Sequence, residues 1–262
     1  MKLDFYKYQG TGNDFVMIDQ REQIFIQHDD QALIRNLCDR RFGIGADGLI
    51  LLEKSNLCDF NMVYFNADGK QSTLCGNGGR CIIRFGHDLG LYAKFTTFEA
   101  VDGMHKGRIL DSGKVSLQMS NTAKPKSFDE NKFELNTGSP HLVIFCDRQP
   151  ESIKDAGAKI RYSPEYTVQG INVNFVLEGE KVIDVATYER GVEDETYSCG
   201  TGVTAAALAL STKMEKFGDI KTDVETKGGS LSVTFRREVD GSYSDIWLTG
   251  PATMVFKGSI DI

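Results

Sequence analysis

The chain is predicted to fold as α+β in two similar halves, and three observations carry that prediction. Apolar and polar residues alternate over many short stretches, the period of half-buried strands, and only a few stretches have helical spacing. Strands and helices do not alternate regularly, which excludes a parallel sheet built from βαβ units. The device Cys-Gly-x-Gly occurs twice, at Cys75-Gly-Asn-Gly-Gly-Arg and Cys199-Gly-Thr-Gly-Val-Thr, 124 residues apart in a chain of 262. Each copy leads into a predicted helix. Each also follows a strand and a turn, Asn66-Ala-Asp-Gly before the first and Tyr188-Glu-Arg-Gly before the second. A shared context recurring at close to half the chain length reads as an internal duplication.

Taken in order, Asp29 or Asp30 caps a helix carrying Leu33, Ile34, Leu37 and Cys38 on one face, stopped near Gly43. A second helix runs from near Asn77 to about Gly86. After the turn Asp111-Ser112-Gly113, Val115, Leu117 and Met119 alternate with Lys114, Ser116 and Gln118 as one arm of a hairpin. The polar segment Lys124–Lys132, which holds Pro125, is the expected crossing into a second domain. Asn172–Leu177 and Lys181–Tyr188 form a second hairpin about Glu178-Gly179-Glu180. A helix starts near Thr201 and ends by Gly218. Leu231–Phe235 and Tyr243–Leu248 flank Asp240-Gly241 as a third hairpin. Gly250-Pro251 is the expected return, giving domains of residues 1–122 with 251–262, and 123–250.

Composition narrows the function classes. With 40% hydrophobic and 26% charged residues the chain is neither disordered, collagen-like nor coiled coil. No apolar run approaches the roughly 18 residues of a membrane span; Leu49–Leu52 and Ala205–Leu210 are the longest clusters. The charged opening Met1–Tyr8 differs from a signal peptide, so a cytoplasmic protein is expected, with no membrane partner. Net charge is −7, from 30 Lys and Arg against 37 Asp and Glu, which leaves no basic stripe for nucleic acid. Six cysteines form no Cys-x-x-Cys pair and four histidines are scattered, so no metal site is expected. Nor is a disulfide framework, in a cytosolic chain.

The paired cysteines carry the chemistry. A thiol just before a helix sits at the positive end of the macrodipole, where outward N–H groups lower its pKa. The glycines let a ligand approach the backbone, whose amides cradle an anion such as a carboxylate. Two such thiols on opposite sides of one ligand are what stereochemical inversion needs: one takes an α-proton while the other delivers a proton from behind. One thiolate and one thiol suffice, without a cofactor, and no phosphate loop or pyridoxal-type lysine site is evident. Cys38, Cys58, Cys81 and Cys146 lack the duplicated context and read as core filler. Taken alone, Asn13 and Asn66 read as turn residues, Asn172 and Asn174 as a solvated strand face, Glu189 and Arg190 as an exposed pair, and His141 as structural.

Laid side by side, these segments resemble the diaminopimelate epimerase family. The likeness rests on Lys7–Phe15, Arg41-Phe-Gly-Ile-Gly-Ala-Asp-Gly48, Phe65–Gly69 with Leu74–Arg80, Gly138-Ser-Pro-His141, Gly170–Phe175, and Tyr188-Glu-Arg-Gly191 with Ser198–Gly202. The resemblance implies two pseudo-symmetric domains, each a β-barrel-like sheet wrapped around a central helix, with the active site in the cleft between them. It implies cofactor-independent conversion of L,L- to meso-diaminopimelate, for lysine and peptidoglycan synthesis, by an enzyme that forms a homodimer. By the same resemblance Cys75 and Cys199 match the acid–base pair, and His141 and Glu189 match positions important for catalysis, through the reacting amino group. Asn13, Asn66, Asn172, Glu189 and Arg190 match residues that hold the substrate, chiefly its distal end. Gly76, Asn77, Gly200 and Thr201 match the amides that cradle the reacting carboxylate. Three departures bear on substrate positioning: Ser139 stands where relatives often have Asn, Gly48 where some carry Gln, and 191–196 is about one residue longer. The rival readings are a proline or hydroxyproline racemase, an amino-acid-binding protein and a thiol redox protein.

Overall fold

The computed structural model describes all residues, 1–262, and the chain separates into two compact units, Met1–Leu117 with Gly250–Ile262, and Gln118–Thr249. Unit 1 contains β1 (Lys2–Gly10), β2 (Asn13–Asp19), α1 (Gln31–Cys38), β3 (Gly48–Glu53), β4 (Phe60–Asn66), β5 (Gln71–Ser72), α2 (Gly76–Asp88), β6 (Phe95–Ala100) and β7 (Gly103–Ile109). It also holds most of β8 (Val115–Gln118). Unit 2 contains β9 (Lys126–Ser127), β10 (Lys132–Asn136), β11 (Pro140–Phe145), α3 (Ile153–Arg161), β12 (Asn172–Glu178), β13 (Val182–Glu189), β14 (Asp194–Thr196), α4 (Gly200–Lys213), β15 (Gly218–Thr226) and β16 (Gly229–Arg237). After β17 (Tyr243–Gly250), β18 (Thr253–Asp261) pairs along its length with β1, antiparallel, in unit 1.

The duplication read from the two cysteine motifs extends to the pairing pattern. In unit 1, β1–β2 is antiparallel, β2–β3 parallel, β3–β4 antiparallel, β4–β6 parallel, and β6–β7 and β7–β8 antiparallel. In unit 2, β10–β11, β11–β12, β12–β13, β13–β15, β15–β16 and β16–β17 repeat that series sense for sense. A helix bridges the first parallel step in each unit, α1 or α3. A short strand and a long helix bridge the second: β5 and α2, or β14 and α4.

The long helices are the centre of each unit. In α4 the side chains of Val203 and Ala205–Ala209 are all buried, apolar on every side as an interior helix requires. They pack with Val143, Val176, Val185, Val233 and Leu248 from the surrounding strands. α2 is likewise buried from Gly76 to Ile83, in contact with β1, β2, β3 and β7. A helix enclosed by strands is the α+β arrangement expected for each half.

Several elements match their sequence signals and others do not. The second and third hairpins are β12–β13 and β16–β17, and the arm after Gly113 is β8, paired with β7. The helix expected from Asn77 begins one residue earlier, at Gly76, and α4 ends at Lys213, ahead of Gly218. The polar segment 124–132 includes β9, which pairs with β10. The short helix α3 had no counterpart among the expectations.

Candidate active site

Each cysteine stands immediately before its central helix. Cys75 (φ −89°, ψ 128°) and Cys199 (φ −109°, ψ 112°) are extended residues at the N-caps of α2 and α4. Their carbonyls accept the first helical bonds, from Gly79 N at 2.7 Å and Val203 N at 2.9 Å. The N–H groups of a helix's first turn face its N-terminal end, the geometry that stabilises a thiolate or a carboxylate placed there. The other cysteines differ. Burial pushes Cys38 and Cys81 up to about 12, which keeps them as thiols, and burial also raises Cys146.

In unit 1 the tight β1–β2 turn, with Thr11 and Gly12 both at positive φ, delivers Asn13 beside Cys75. The Cys75 thiol donates to Asn13 Oδ1 at 3.5 Å, and Asn77 Nδ2 donates to the same oxygen at 3.4 Å. The orientation of Asn13 is fixed from behind, because its Nδ2 donates to Asp47 Oδ2 at 2.6 Å. Asp47 and Asp14 share Arg40, which forms two bonds to Asp14 and one, at 2.7 Å, to Asp47; Lys7 completes the group at 2.9 Å from Asp14. Burial alone would raise the Asp14 pKa, but Arg40 and Lys7 outweigh it and hold the carboxyl well below the usual range. Arg80, fully buried on α2, donates to Asn77 Oδ1 at 2.9 Å and Thr11 Oγ1 at 3.1 Å, so the Asn77 amide is oriented too. Asn66, at the exposed end of β4, accepts from Tyr64 OH at 2.8 Å. A Cβ on Gly48 would stand 2.6 Å from both the Phe65 carbonyl oxygen and the Tyr64 ring, so this close approach of β3 and β4 requires a glycine.

In unit 2 the equivalent strand ends supply a different set. His141, in β11, is fully buried, with Thr201 Oγ1 at 2.9 Å from Nε2 and Asn174 Nδ2 at 3.0 Å from Nδ1. Burial first, then the Arg190 charge, push its pKa down to about 3, so the ring is neutral. Both imidazole nitrogens thus have partners inside the unit. Thr201 Oγ1 lies 3.4 Å from Cys199 Sγ. Asn172 is also buried, and its amide is spent locally: Nδ2 donates to Ser139 Oγ and Pro140 O, and Oδ1 accepts from Arg190 N at 2.8 Å. Ser139 therefore bonds the Asn172 amide. Glu189 ends β13 and Arg190 follows it, with Arg190 Nη1 donating to Gln169 O at 2.8 Å.

Unit 1 thus gathers Asn13, Asn77, Gly76 and Cys75, with Asn66 at a neighbouring strand end. Unit 2 gathers His141, Thr201, Gly200 and Cys199 in one cluster, and Asn172 with Arg190 beside it. Three residues were missed by sequence reasoning. Asp47 lies in the quoted Arg41–Gly48 motif but was given no role. Asn174 was read as solvated, yet it is fully buried, because α4 covers the face of β12 on which Asn172 and Asn174 alternate. Thr187 sits opposite it in the β12–β13 register. No group of three His, Cys, Asp or Glu side chains converges as a metal site, and no helix is long and apolar enough to cross a membrane.

Comparison with known proteins bears on this arrangement. The family model described as Diaminopimelate epimerase matches residues 5–124 and 133–255. A diaminopimelate epimerase of Flavobacterium psychrophilum is 51% identical, over 99% of this chain and 100% of its own. One from Chlorobaculum tepidum is 39% identical over 97% of this chain and 99% of its own. Among solved structures, a PhzF-family phenazine biosynthesis protein of Bacillus anthracis superposes with a TM-score of 0.78 at 15% identity, covering 100% of both chains. A hydroxyproline epimerase of Agrobacterium vitis gives 0.70 at 12% identity, over 99% of this chain and 92% of its own. At such identities these two show a shared fold.

Proposed function

Because the chain belongs to the diaminopimelate epimerase family and is an isomerase, we propose that Cys75 and Cys199 are its two acid–base groups and invert one α-carbon of diaminopimelate without a cofactor. One cysteine, as thiolate, removes the α-proton from the L,L isomer. The other, as thiol, donates a proton to the opposite face and gives the meso isomer. The second proton carrier then holds the charge, so the pair is left in the complementary state. The first-turn amides at Gly76-Asn77 and Gly200-Thr201 stabilise the carboxylate while the carbanion forms.

The observation that carries this reading is the repeat of one device in two units. Each thiol is held at the N-cap of a buried helix, and each has an oriented polar neighbour within hydrogen-bonding distance of sulfur, Asn13 or Thr201. Asn13, Asn66, Glu189 and Arg190 hold the substrate, chiefly its distal amino-acid group, and Asn172 keeps Ser139 and Arg190 in place for that task. Those polar strand ends favour a ligand with a second amino-acid head over proline or hydroxyproline. The cytoplasm is the proposed location, and lysine and peptidoglycan synthesis the proposed use. A homodimer is proposed as well, supported by β18, whose Met254, Val255 and Phe256 are each about half exposed.

Proton NMR of the reduced protein with L,L-diaminopimelate in D2O, without added cofactor, tests the reaction. Loss of one α-proton signal with appearance of the meso isomer is expected. Exchange without inversion would remove the two-thiol scheme, and no exchange with this substrate but exchange with proline would move the assignment to the racemase reading.

A further inference from the structure

We infer that Thr187, Asn174, His141 and Thr201 form a one-way hydrogen-bond chain that keeps the Thr201 hydroxyl proton directed at the Cys199 sulfur, with His141 a fixed, neutral positioning residue. The inference rests on the reading of Cys199 as an acid–base group, and it assigns work to two buried residues, Thr187 and Asn174.

The polarity of the chain follows from groups that can act in one sense only. Asn174 Nδ2 lies 3.2 Å from the carbonyl oxygen of Leu142, an acceptor, so that end of the amide is the NH2. Its Oδ1 then faces Thr187 Oγ1 at 2.9 Å, and the threonine hydroxyl must donate. The second Asn174 hydrogen meets His141 Nδ1 at 3.0 Å, so Nδ1 accepts and carries no proton. A neutral imidazole with a bare Nδ1 is protonated at Nε2. Nε2–H points to Thr201 Oγ1 at 2.9 Å, and that oxygen accepts. The other approach to Nε2, from Asn172 Nδ2 at 3.5 Å, offers no competing bond, since both hydrogens of that amide go to Ser139 and Pro140. Having accepted from histidine, Thr201 has its own proton to give, and Cys199 Sγ lies 3.4 Å away.

Every link but the last is buried: Thr187 is 3% exposed, and Asn174 and His141 are 0%. Water therefore does not scramble the order, and each bond polarises the next. Asn172 and Asn174 from β12 and Thr201 from α4 meet the ring as neutral groups. The titratable Cys199 lies beyond Thr201, and Arg190, after β13 and next to Glu189, is the cation that lowers the ring's pKa. That cation and the burial both oppose protonation of the ring, which keeps Nδ1 available as an acceptor. The second glycine of the Cys199 motif belongs to the same device. A Cβ on Gly202 would stand 2.3 Å from Asn174 Oδ1 and 3.2 Å from Thr187 Oγ1, so a glycine is what lets the start of α4 lie against the chain. A hydroxyl donor aimed at sulfur favours thiolate over thiol, and a bond to a charged acceptor is worth roughly one pK unit or more.

Two measurements on the full-length protein test this, and neither reads turnover, so they stand whether or not diaminopimelate is the substrate. In 15N-histidine NMR, His141 is expected as the Nε2–H tautomer, with no titration from about pH 5 to 9. An Nδ1–H ring, or one that titrates near neutrality, would overturn the chain. The ionisation of Cys199 is read from the pH dependence of its labelling by iodoacetamide, followed on the Cys199 peptide by mass spectrometry. Thr201→Val is expected to raise it by about one unit, a tenfold loss of thiolate near neutral pH, with Cys75 unmoved. Thr201→Ser, which keeps the hydroxyl, is expected to restore it. Equal Cys199 ionisation in wild type and Thr201→Val would sink the proposal.

Discussion

At the scale of single residues, the roles assigned to the cysteines and to Gly202 make separable demands. Replacing either Cys75 or Cys199 with alanine removes one of two proton carriers, and the loss of epimerisation is expected to be roughly 10²–10⁴-fold or greater. Assaying meso-diaminopimelate formation with each variant checks this; substantial turnover in either one contradicts the scheme. Gly202→Ala is a packing test in the same place. Its methyl has to displace the Asn174 amide, 2.3 Å away, or push the first turn of α4 outward. A destabilisation of about 1–3 kcal/mol is expected in urea unfolding. The legible part of the site was the part with a local signature: a thiol, small residues and a helix start in one short run. Asp47, Asn174 and Thr187 escaped because their partners are 34, 33 and 13 residues away, at Asn13, His141 and Asn174. A buried amide and a solvated one look alike in sequence until the covering helix is known.

Among elements, α3 shows why some structure was not legible. Its interior glycine, Gly157, lowers helix propensity and weakens the signal. Yet a Cβ there would sit 2.3 Å from the Tyr188 side chain, so the residue that disfavours the helix in isolation is the one that lets it pack. Ser152 supplies the missing start, accepting from Asp155 N at 3.1 Å. By contrast, the run Leu49–Leu52, noted in the sequence only as an apolar cluster too short to span a membrane, is the buried centre of β3. The junction of β1, β2 and the loop after α1 is held by Asp14, and it carries a pH prediction. The folded-state pKa of Asp14 is depressed, so its contribution to stability is complete above the unfolded value near 4 and is lost as pH falls below it. Urea unfolding at pH 7 and pH 3 is expected to show a smaller acid-induced loss for Asp14→Asn than for the wild type. At pH 7 the variant is expected to be less stable by roughly 1–3 kcal/mol, since Arg40 and Lys7 lose a charged acceptor.

For the molecule as a whole, the duplication was readable from two four-residue motifs, and the strand-pairing senses of both units repeat it. What the motifs did not convey is how differently the copies are furnished. Corresponding strand starts carry Asn13 in one unit and His141 in the other, and corresponding strand ends carry Asn66 and Glu189. An inversion catalyst acts on two faces of one carbon whose substituents differ, so two identical halves would be poorly matched to it. The exposed apolar residues of β18 bear on assembly. Light scattering of the full-length protein is expected to give twice the chain mass, and Val255→Lys to shift the protein toward the monomer. A wild type that remains monomeric at micromolar concentration would remove the dimer.

The pairing of β18 with β1 also sets an order of events during synthesis. Unit 2 is one continuous stretch, Gln118–Thr249, and all of it has been made before the residues that complete unit 1. β1 is made long before β18, its partner along the register Lys2–Gln9. Contacts of such separation raise the contact order and slow folding, and until they form β1 offers an unfilled edge to other chains. Unit 1 is therefore begun before unit 2 and closed only after it, and the unpaired edge of β1 is the aggregation hazard in the interval.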